Sequence, residues 1–160
     1  MSSTAASRFA AVYAVLTAAH EIGDYWIQQD RDAAAKGKPG REGQTACARH
    51  VATYTATQAL ALLAADRTLR LNLDWRRAAA GLAVSAVTHY AADRSAGHWQ
   101  EEKPTARLVR LARWKGSTNW LLRDPGAGPL LDQAWHKGWI AVAAAVTSAT
   151  RAGTYTGPPK

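Results

Sequence analysis

Cysteine is almost absent from this chain. Its 160 residues include a single cysteine, Cys47. One thiol can form neither a disulfide within the chain nor a cluster of thiolate metal ligands, so both are excluded as the basis of the fold. Cysteine this scarce is typical of a reducing compartment. We expect Cys47 to be a small buried side chain on a helix.

Long apolar runs are missing as well. The longest, residues 59–65 and 139–146, are much shorter than the roughly 20 residues that a membrane-spanning helix requires. Residues 1–7 contain no basic start followed by an apolar stretch, so we expect no signal peptide. A cytoplasmic location is therefore the expectation, with contact at a membrane surface as the alternative.

Alternation of polar and apolar residues, the pattern of a β-strand, is also lacking. Apolar residues instead recur at helical spacing within alanine-rich segments, and glycine and proline lie mostly between those segments. A chain of this length can bury a core within one domain. The sequence therefore predicts a single all-α domain over residues 1–160.

Four long helices are predicted, over about residues 4–35, 43–65, 75–95 and 129–150, with Asp74 as the N-cap of the third. Residues 98–128 form a basic insertion that contains Trp99, Trp114 and Trp120. Pro104 fits the first turn of a short helix there. Residues 151–160 are expected to form a flexible tail. The predicted architecture is a four-helix bundle with a short-helix insertion between helices 3 and 4.

Acidic residues are few relative to basic ones. Twenty lysines and arginines against twelve acidic residues give a formal net charge of +8. Such a balance favours anionic partners, which include phosphate esters, nucleotides, nucleic acid and acidic lipid. Charge alone does not choose among them.

Histidine and aspartate occur four residues apart at three places: His20 and Asp24, His89 and Asp93, and, in the reverse order, Asp132 and His136. Residues at this spacing share one face of a helix. In an up-and-down bundle the fourth helix runs against the first and third, so the reversed order would place the three aspartates at one level. The histidines would share the next level, about 5–6 Å along the axis.

These side chains, together with His50 on the second helix, predict a metal centre. Burying three aspartates without a metal or cationic partners would cost several kcal/mol each. Seven ligands suit two divalent ions, with zinc, manganese and iron left open. The predicted ligands are His20, Asp24, His50, His89, Asp93, Asp132 and His136. The simpler alternative is that each pair is only a buried, hydrogen-bonded part of the core.

Further roles are predicted around that centre. Asp24 or Asp93 would bridge the ions or act as the catalytic base. The side chains expected to orient the ligands by hydrogen bonding are Gln28, Tyr54, Ser85 and Gln133. The side chains expected to bind a substrate phosphate are Arg94, Lys137, Arg107 and Arg110. The insertion arginines have an alternative interpretation as a solvated helix face.

The motifs in combination resemble a bacterial and phage family that carries a domain-of-unknown-function label and is often described as small membrane proteins. The resemblance rests on His20-x-x-x-Asp24-Tyr25-x-x-Gln28, on Lys36 or Lys38, on His50 with Tyr54, on His89-x-x-x-Asp93, and on Asp132-Gln133-x-x-His136. It covers most of the chain. This chain differs from the membrane-type members in its shorter apolar runs and its basic insertion.

More loosely, the chain is similar to the all-helical zinc phospholipase C and single-strand nuclease superfamily and to inner-membrane metal hydrolases. That similarity implies phosphoester hydrolysis. The HD phosphohydrolases use adjacent histidine and aspartate, and no such dipeptide occurs here.

The sequence therefore predicts a metal-dependent hydrolase, with two ions, that acts on a phosphoester, most favourably a nucleotide or nucleic acid. The alternative is a non-enzymatic basic helical module of the phage or mobile-element type, which binds nucleic acid or a host protein. In that case the His/Asp pairs are purely structural.

Overall fold

The computed structural model describes residues 4–149. Its α-helices are α1 (Ala5–Ile22), α2 (Asp30–Ala35), α3 (Gly40–Leu69), α4 (Trp75–Asp93), α5 (Arg107–Ala112), α6 (Thr118–Arg123) and α7 (Ala127–Ser148). One π-helical turn, Gly23–Ile27, continues α1, and another, Arg113–Ser117, continues α5. The described part of the chain contains no strand, so the all-α prediction is confirmed.

The four long helices surround a common interior. Helix α1 packs against α3 and α7, and α4 packs against the same two helices. Helices α4 and α7 approach closely at a glycine: a Cβ atom on Gly81 of α4 would lie 2.1 Å from Thr147 Oγ1 and 2.6 Å from the Ala143 carbonyl oxygen of α7. Any larger residue at position 81 would separate α4 from α7.

Side-chain caps fix where two of these helices begin. The Thr4 hydroxyl accepts a hydrogen bond from the Ser7 N–H at the start of α1. Asp74 Oδ1 accepts one from the Arg76 N–H at 2.9 Å, which confirms the predicted N-cap of α4. Helix α3 ends where Arg70 adopts a left-handed conformation, with φ of 51°.

The first helix differs from its prediction as one continuous element over residues 4–35. Regular α-helix ends at Ile22, and in the π-helical turn the Gln28 N–H reaches back five residues to the Gly23 carbonyl at 3.0 Å. Gln28 then adopts an extended conformation, with ψ of 131°, and α2 starts at Asp30. The apolar stripe carries no signal for this break because the change of period lasts only one turn.

The insertion is helical but differs in detail from its prediction. Pro104 precedes α5 and is not in its first turn, since the helix begins at Arg107. The segment has its own small core of Trp99, Val109, Leu121 and Ala127. Helix α7 begins at Ala127, two residues before the predicted start, and a Cβ on Gly128 would lie 2.6 Å from Trp99.

The main apolar core occupies one end of the four long helices. Its buried members come from α1, α3, α7 and the α3–α4 connection: Val12, Leu16, Leu62, Ala65, Leu71, Leu73, Ile140, Ala143 and Ala144. The opposite end of the same helices carries the histidines and aspartates. Among the described residues, no helix combines the length and the apolar character that crossing a membrane requires. The predicted tail at 151–160 lies outside the described residues.

Candidate metal centre

Four histidines from four helices meet in the interior of the polar end. The ring centres of His89 and His136 are 4.3 Å apart, and those of His20 and His136 are 5.0 Å apart. The rings of His50 and His89 are also separated by 5.0 Å. All four side chains are buried. The level of histidines that the reversed Asp132/His136 order predicts is therefore present.

Two aspartates each place one oxygen within 3.4 Å of the Nε2 atoms of two of these histidines. His50 Nε2 lies 2.9 Å from His89 Nε2. Asp24 Oδ1 lies 3.3 Å from the first nitrogen and 3.4 Å from the second. Asp93 Oδ2 lies 3.2 Å and 3.3 Å from the same two atoms. We call this group the donor cluster: Asp24, His50, His89 and Asp93.

The nitrogen–oxygen separations match those of atoms that share a small cation, whereas the 2.9 Å between the two Nε2 atoms is a hydrogen-bond distance. A tetrahedral zinc ion with bonds of about 2.0–2.1 Å holds neighbouring donor atoms about 3.3–3.4 Å apart. All four nitrogen–oxygen distances in the donor cluster lie between 3.2 and 3.4 Å. Asp24, His50 and His89 each place a donor atom within 4.8 Å of the other two. Imidazole with carboxylate suits zinc, manganese or iron.

Hydrogen bonding does not satisfy the donor cluster. Asp24 Oδ1 and Asp93 Oδ2 are buried without a hydrogen-bond partner, and so are the Nδ1 atoms of His50 and His89. A carboxylate oxygen only accepts, and a neutral imidazole carries a single proton. Of the four converging atoms, the two Nε2 atoms hydrogen-bond to one another, whereas the two carboxylate oxygens receive no hydrogen bond. A cation shared by the four atoms would give both oxygens a partner.

Burial and neighbouring side chains shift the pKa values of Asp24, Asp93 and His89 toward their deprotonated forms. Burial raises the pKa of Asp24, but the nearby imidazoles of His50, His89 and His20 outweigh it and hold the pKa below its ordinary value. Burial likewise raises the pKa of Asp93, which His89 and Lys36 bring well below the ordinary range. Burial lowers the pKa of His89. Metal ligands must be deprotonated, and both shifts act in that direction.

Tyr54 contacts the ring of His89 and is itself bonded to Ser85, while the orienting role predicted for both stays a prediction. The Tyr54 ring stacks on the His89 imidazole with centres 3.9 Å apart. The Tyr54 hydroxyl and Ser85 Oγ are 2.8 Å apart and are both buried. This contact between α3 and α4 fixes the tyrosine ring and therefore one face of the histidine.

The remaining predicted ligands form a neighbouring group. His20 Nε2 lies 3.2 Å from Gln133 Oε1, and its Nδ1 lies 3.6 Å from Asp24 Oδ2. His136 Nε2 lies 3.3 Å from Asp132 Oδ2. Burial lowers the pKa of His136, but the bond to Asp132 and the nearby carboxylates outweigh it and raise the pKa above its ordinary value. His20, His89 and His136 form a second group whose donor atoms lie within 4.8 Å of one another.

A cavity of about 340 Å³ opens onto the donor cluster. All three aspartates of the His/Asp pairs line it, as the predicted common level requires, and they are accompanied by Tyr25, Gln28, Lys36, Trp99 and Gln133. We call this the aspartate cleft. None of the histidines lines it, so the carboxylates lie between the imidazoles and the opening.

Lys36 is a component of the site that the predicted set of site residues omits. Its Nζ lies 2.9 Å from Asp93 Oδ1 and faces Gln28 Oε1 at 3.5 Å. Only 13% of the side chain is exposed. The motif comparison named Lys36 or Lys38 without choosing. Lys38 is instead an exposed residue paired with Glu42.

The predicted phosphate-binding residues lie outside the aspartate cleft. Arg94 donates to the carbonyl oxygens of Lys36 and Lys38, and thereby holds the loop between α2 and α3. Lys137 lies 3.5 Å from Glu21 on the surface. Their predicted contact with substrate stays a prediction.

Arg107 and Arg110 line a different, open groove on the insertion, together with Pro104 and Trp114. Trp114 is 83% exposed. An exposed tryptophan beside two arginines is a surface that a base or an acidic chain can contact.

Trp99 and Tyr25 are further cleft residues that the sequence interpretation did not assign to the site. Trp99 belongs to the predicted insertion, and it packs against Gly128 at the start of α7. Tyr25 is adjacent to Asp24 in the motif, which was the available signal.

Comparison with known proteins adds no relative: the chain matches no protein-family model, no curated protein and no solved structure at a significant level. The resemblance carried by the motifs therefore stays a prediction, and the functional argument depends on geometry.

Proposed function

We propose that this chain is a metal-dependent hydrolase of phosphoesters, built on a four-helix bundle with a helical insertion, whose donor cluster holds one divalent ion. The observation that carries the proposal is that two buried carboxylate oxygens, each without a hydrogen-bond partner, lie 3.2–3.4 Å from two buried imidazole nitrogens that face one another. An apolar or hydrogen-bonded interior of the same volume would be more stable without metal.

The sequence predicts two ions from seven candidate ligands, but the geometry supports a single ion better. Both groups of possible ligands include His89. A neutral imidazole has one nitrogen lone pair, so His89 can complete only one group at a time. The donor cluster combines His89 with two carboxylate oxygens at 3.3 and 3.4 Å from its Nε2, whereas the other group contains imidazoles alone. His20 and His136 are then neighbours that orient carboxylates and hold protons.

In this proposal, the residues of the donor cluster bind the ion, and a residue of the aspartate cleft transfers a proton. A bound divalent ion would polarise a phosphoryl oxygen and lower the pKa of a coordinated water. Asp24 and Asp93 face both the donor cluster and the cleft. Asp132 lines the cleft without belonging to the donor cluster, and its Oδ2 lies 3.3 Å from His136 Nε2. In a single-ion site, we therefore assign to Asp132 the role of accepting a proton from water. The sequence predicts Asp24 or Asp93 for this role.

Elemental analysis of protein purified without added metal tests the proposal. We expect about one equivalent of zinc, manganese or iron per chain. His50→Ala and His89→Ala should abolish both metal content and turnover of a phosphodiester such as bis(p-nitrophenyl) phosphate. His98→Ala is the control for metal content alone, because His98 lies outside the donor cluster and pairs with Glu101 but also contacts the Gly37 carbonyl of the loop that carries Lys36.

Two outcomes would contradict the proposal. Wild-type protein without metal, whose melting temperature does not change in chelator, would remove the metal site. Full metal content without turnover of any phosphoester would leave a structural ion, which a closed set of four protein ligands also favours.

A second candidate function is binding of nucleic acid or an acidic partner by the insertion groove. The observation that favours it is the exposed Trp114 beside Arg107 and Arg110. DNA binding with a steep salt dependence, lost in Arg110→Ala but retained in His89→Ala, would support this function over hydrolysis.

A further inference from the structure

The charges that line the aspartate cleft constrain its ligand. Three carboxylates line it, and Lys36 is the one lysine or arginine among its lining residues in the described chain. A divalent ion in the donor cluster, together with the Lys36 ammonium, balances the three carboxylates. A neutral cleft accepts a monoanion at lower electrostatic cost than a dianion.

Lys36 has donor capacity beyond its present contacts. An ammonium group has three N–H donors. Asp93 Oδ1 takes one at 2.9 Å, and Gln28 Oε1 faces another at 3.5 Å. The Nζ therefore retains a donor that can turn toward the cleft. Asp93 also connects Lys36 to the donor cluster, since its other oxygen lies 3.2 Å from His50 Nε2.

The loop that carries Lys36 is held in place by the opposite segment. Arg94 donates to the carbonyl oxygens on both sides of Gly37, and His98 Nε2 contacts the Gly37 carbonyl at 2.9 Å. A Cβ atom on Gly37 would lie 1.9 Å from the Ala96 carbonyl oxygen. This packing fixes the backbone from which Lys36 extends, which is what a residue that positions a ligand requires.

We propose that Lys36 binds a non-bridging phosphoryl oxygen of the substrate, and that the aspartate cleft selects phosphodiester monoanions over phosphomonoester dianions. The proposal rests on the proposed function, because it assumes a divalent ion in the donor cluster. Lysine binds phosphate as a compact point charge. The cavity of about 340 Å³ has room for the reacting phosphodiester group and its immediate substituents.

The test measures ligand binding to protein loaded with zinc, using dimethyl phosphate as the monoanion and methyl phosphate at pH 8 as the dianion. Isothermal titration calorimetry gives the dissociation constants, and cobalt(II)-substituted protein with ³¹P relaxation reports whether the phosphorus lies near the ion. Lys36→Met removes the charge and Lys36→Arg keeps it. Lys38→Met is the matched control, since Lys38 is on the same loop but is exposed and paired with Glu42.

We expect Lys36→Met to weaken dimethyl phosphate binding about tenfold or more, with zinc still bound at one equivalent. Lys36→Arg should restore most of the affinity, and Lys38→Met should match the wild type. Wild-type protein should bind dimethyl phosphate more tightly than methyl phosphate.

The proposal is overturned if zinc-loaded wild type binds no dimethyl phosphate, if Lys36→Met binds it as the wild type does, or if methyl phosphate binds more tightly. A change in zinc affinity alone in Lys36→Met would make Lys36 a neutralising partner of Asp93 and would also refute the proposal. Absence of zinc from the wild type is a separate result, because it refutes the proposed function itself.

Discussion

The two ends of the same four long helices differ in the chemistry of the side chains that they bury. The apolar end is the cluster around Val12, Leu16, Leu62 and Ile140, in which apolar side chains pack closely against one another. The polar end comprises the donor cluster with His20, Asp132 and His136. There, two buried carboxylate oxygens lie beside imidazole nitrogens and receive no hydrogen bond.

This difference is the reason for proposing a function at the polar end. The apolar end gains free energy from burial whatever else is bound. The polar end loses free energy by desolvating charged groups unless a further charge joins them. A local conflict that folding alone would not favour is expected at a functional site. Three predictions separate the two ends, beginning with the largest effect.

Truncation at the apolar end should destabilise the protein with or without metal. Leu62 is fully buried in this cluster. Leu62→Ala should lower the free energy of unfolding by about 2–5 kcal/mol. The measurement is urea unfolding in chelator and again in excess zinc. Leu60→Ala, two residues away on the same helix and 67% exposed, should change it by less than about 0.5 kcal/mol. A cost of Leu62→Ala that differs between chelator and zinc would contradict the division into ends.

Zinc should stabilise the polar end first. At zinc concentrations about 100 times the dissociation constant, binding contributes about 2.7 kcal/mol, a factor of about 100 in amide protection. Hydrogen exchange should slow by up to that factor at residues 17–22 and 86–93 and change less at residues 9–15 and 140–147. His89→Ala should show no such change. An equal increase at both ends would mean that the helices open as one cooperative unit.

The smallest effect concerns His98, which lies outside the polar end. The Gly37 carbonyl and Glu101 raise the pKa of His98 above 6.5. A histidine whose folded pKa is raised contributes stability that is fully present below the unfolded pKa and is lost as pH rises through the folded pKa. At pH 5.5 the free energy of unfolding of the wild type should therefore be higher than that of His98→Asn by a few tenths to about 1 kcal/mol.

This difference in unfolding free energy between wild type and His98→Asn should be smaller at pH 8.5. Urea unfolding at the two pH values measures it. Glu101→Gln keeps the contact with Gly37 and should show an intermediate gap. A gap that is constant between the two pH values would refute the assignment. Buried His20 and His89 have lowered pKa values, so their own contributions change with pH in the opposite direction.

Spacing along the chain was sufficient to anticipate much of the polar end. His20/Asp24, His89/Asp93 and Asp132/His136 share helix faces because four residues make about one turn. The reversed order on α7 predicted the shared aspartate level, and the three carboxylates line one cleft. The π-helical turn after Ile22 and the start of α5 were missed, because each depends on a backbone change too short to alter an apolar stripe.

The sequence by itself determined the all-α class, the ligand chemistry and the faces of the helices that carry it, because these follow from residue type and helical period. Tertiary structure alone decided which four donors converge, that His89 is shared between two groups, and that Lys36 rather than Lys38 enters the site. Those outcomes depend on distances between helices, which are set by contacts such as Gly81 against Thr147 and by the hold of Arg94 on the loop. No local pattern encodes such distances, since they arise only when separate segments pack together.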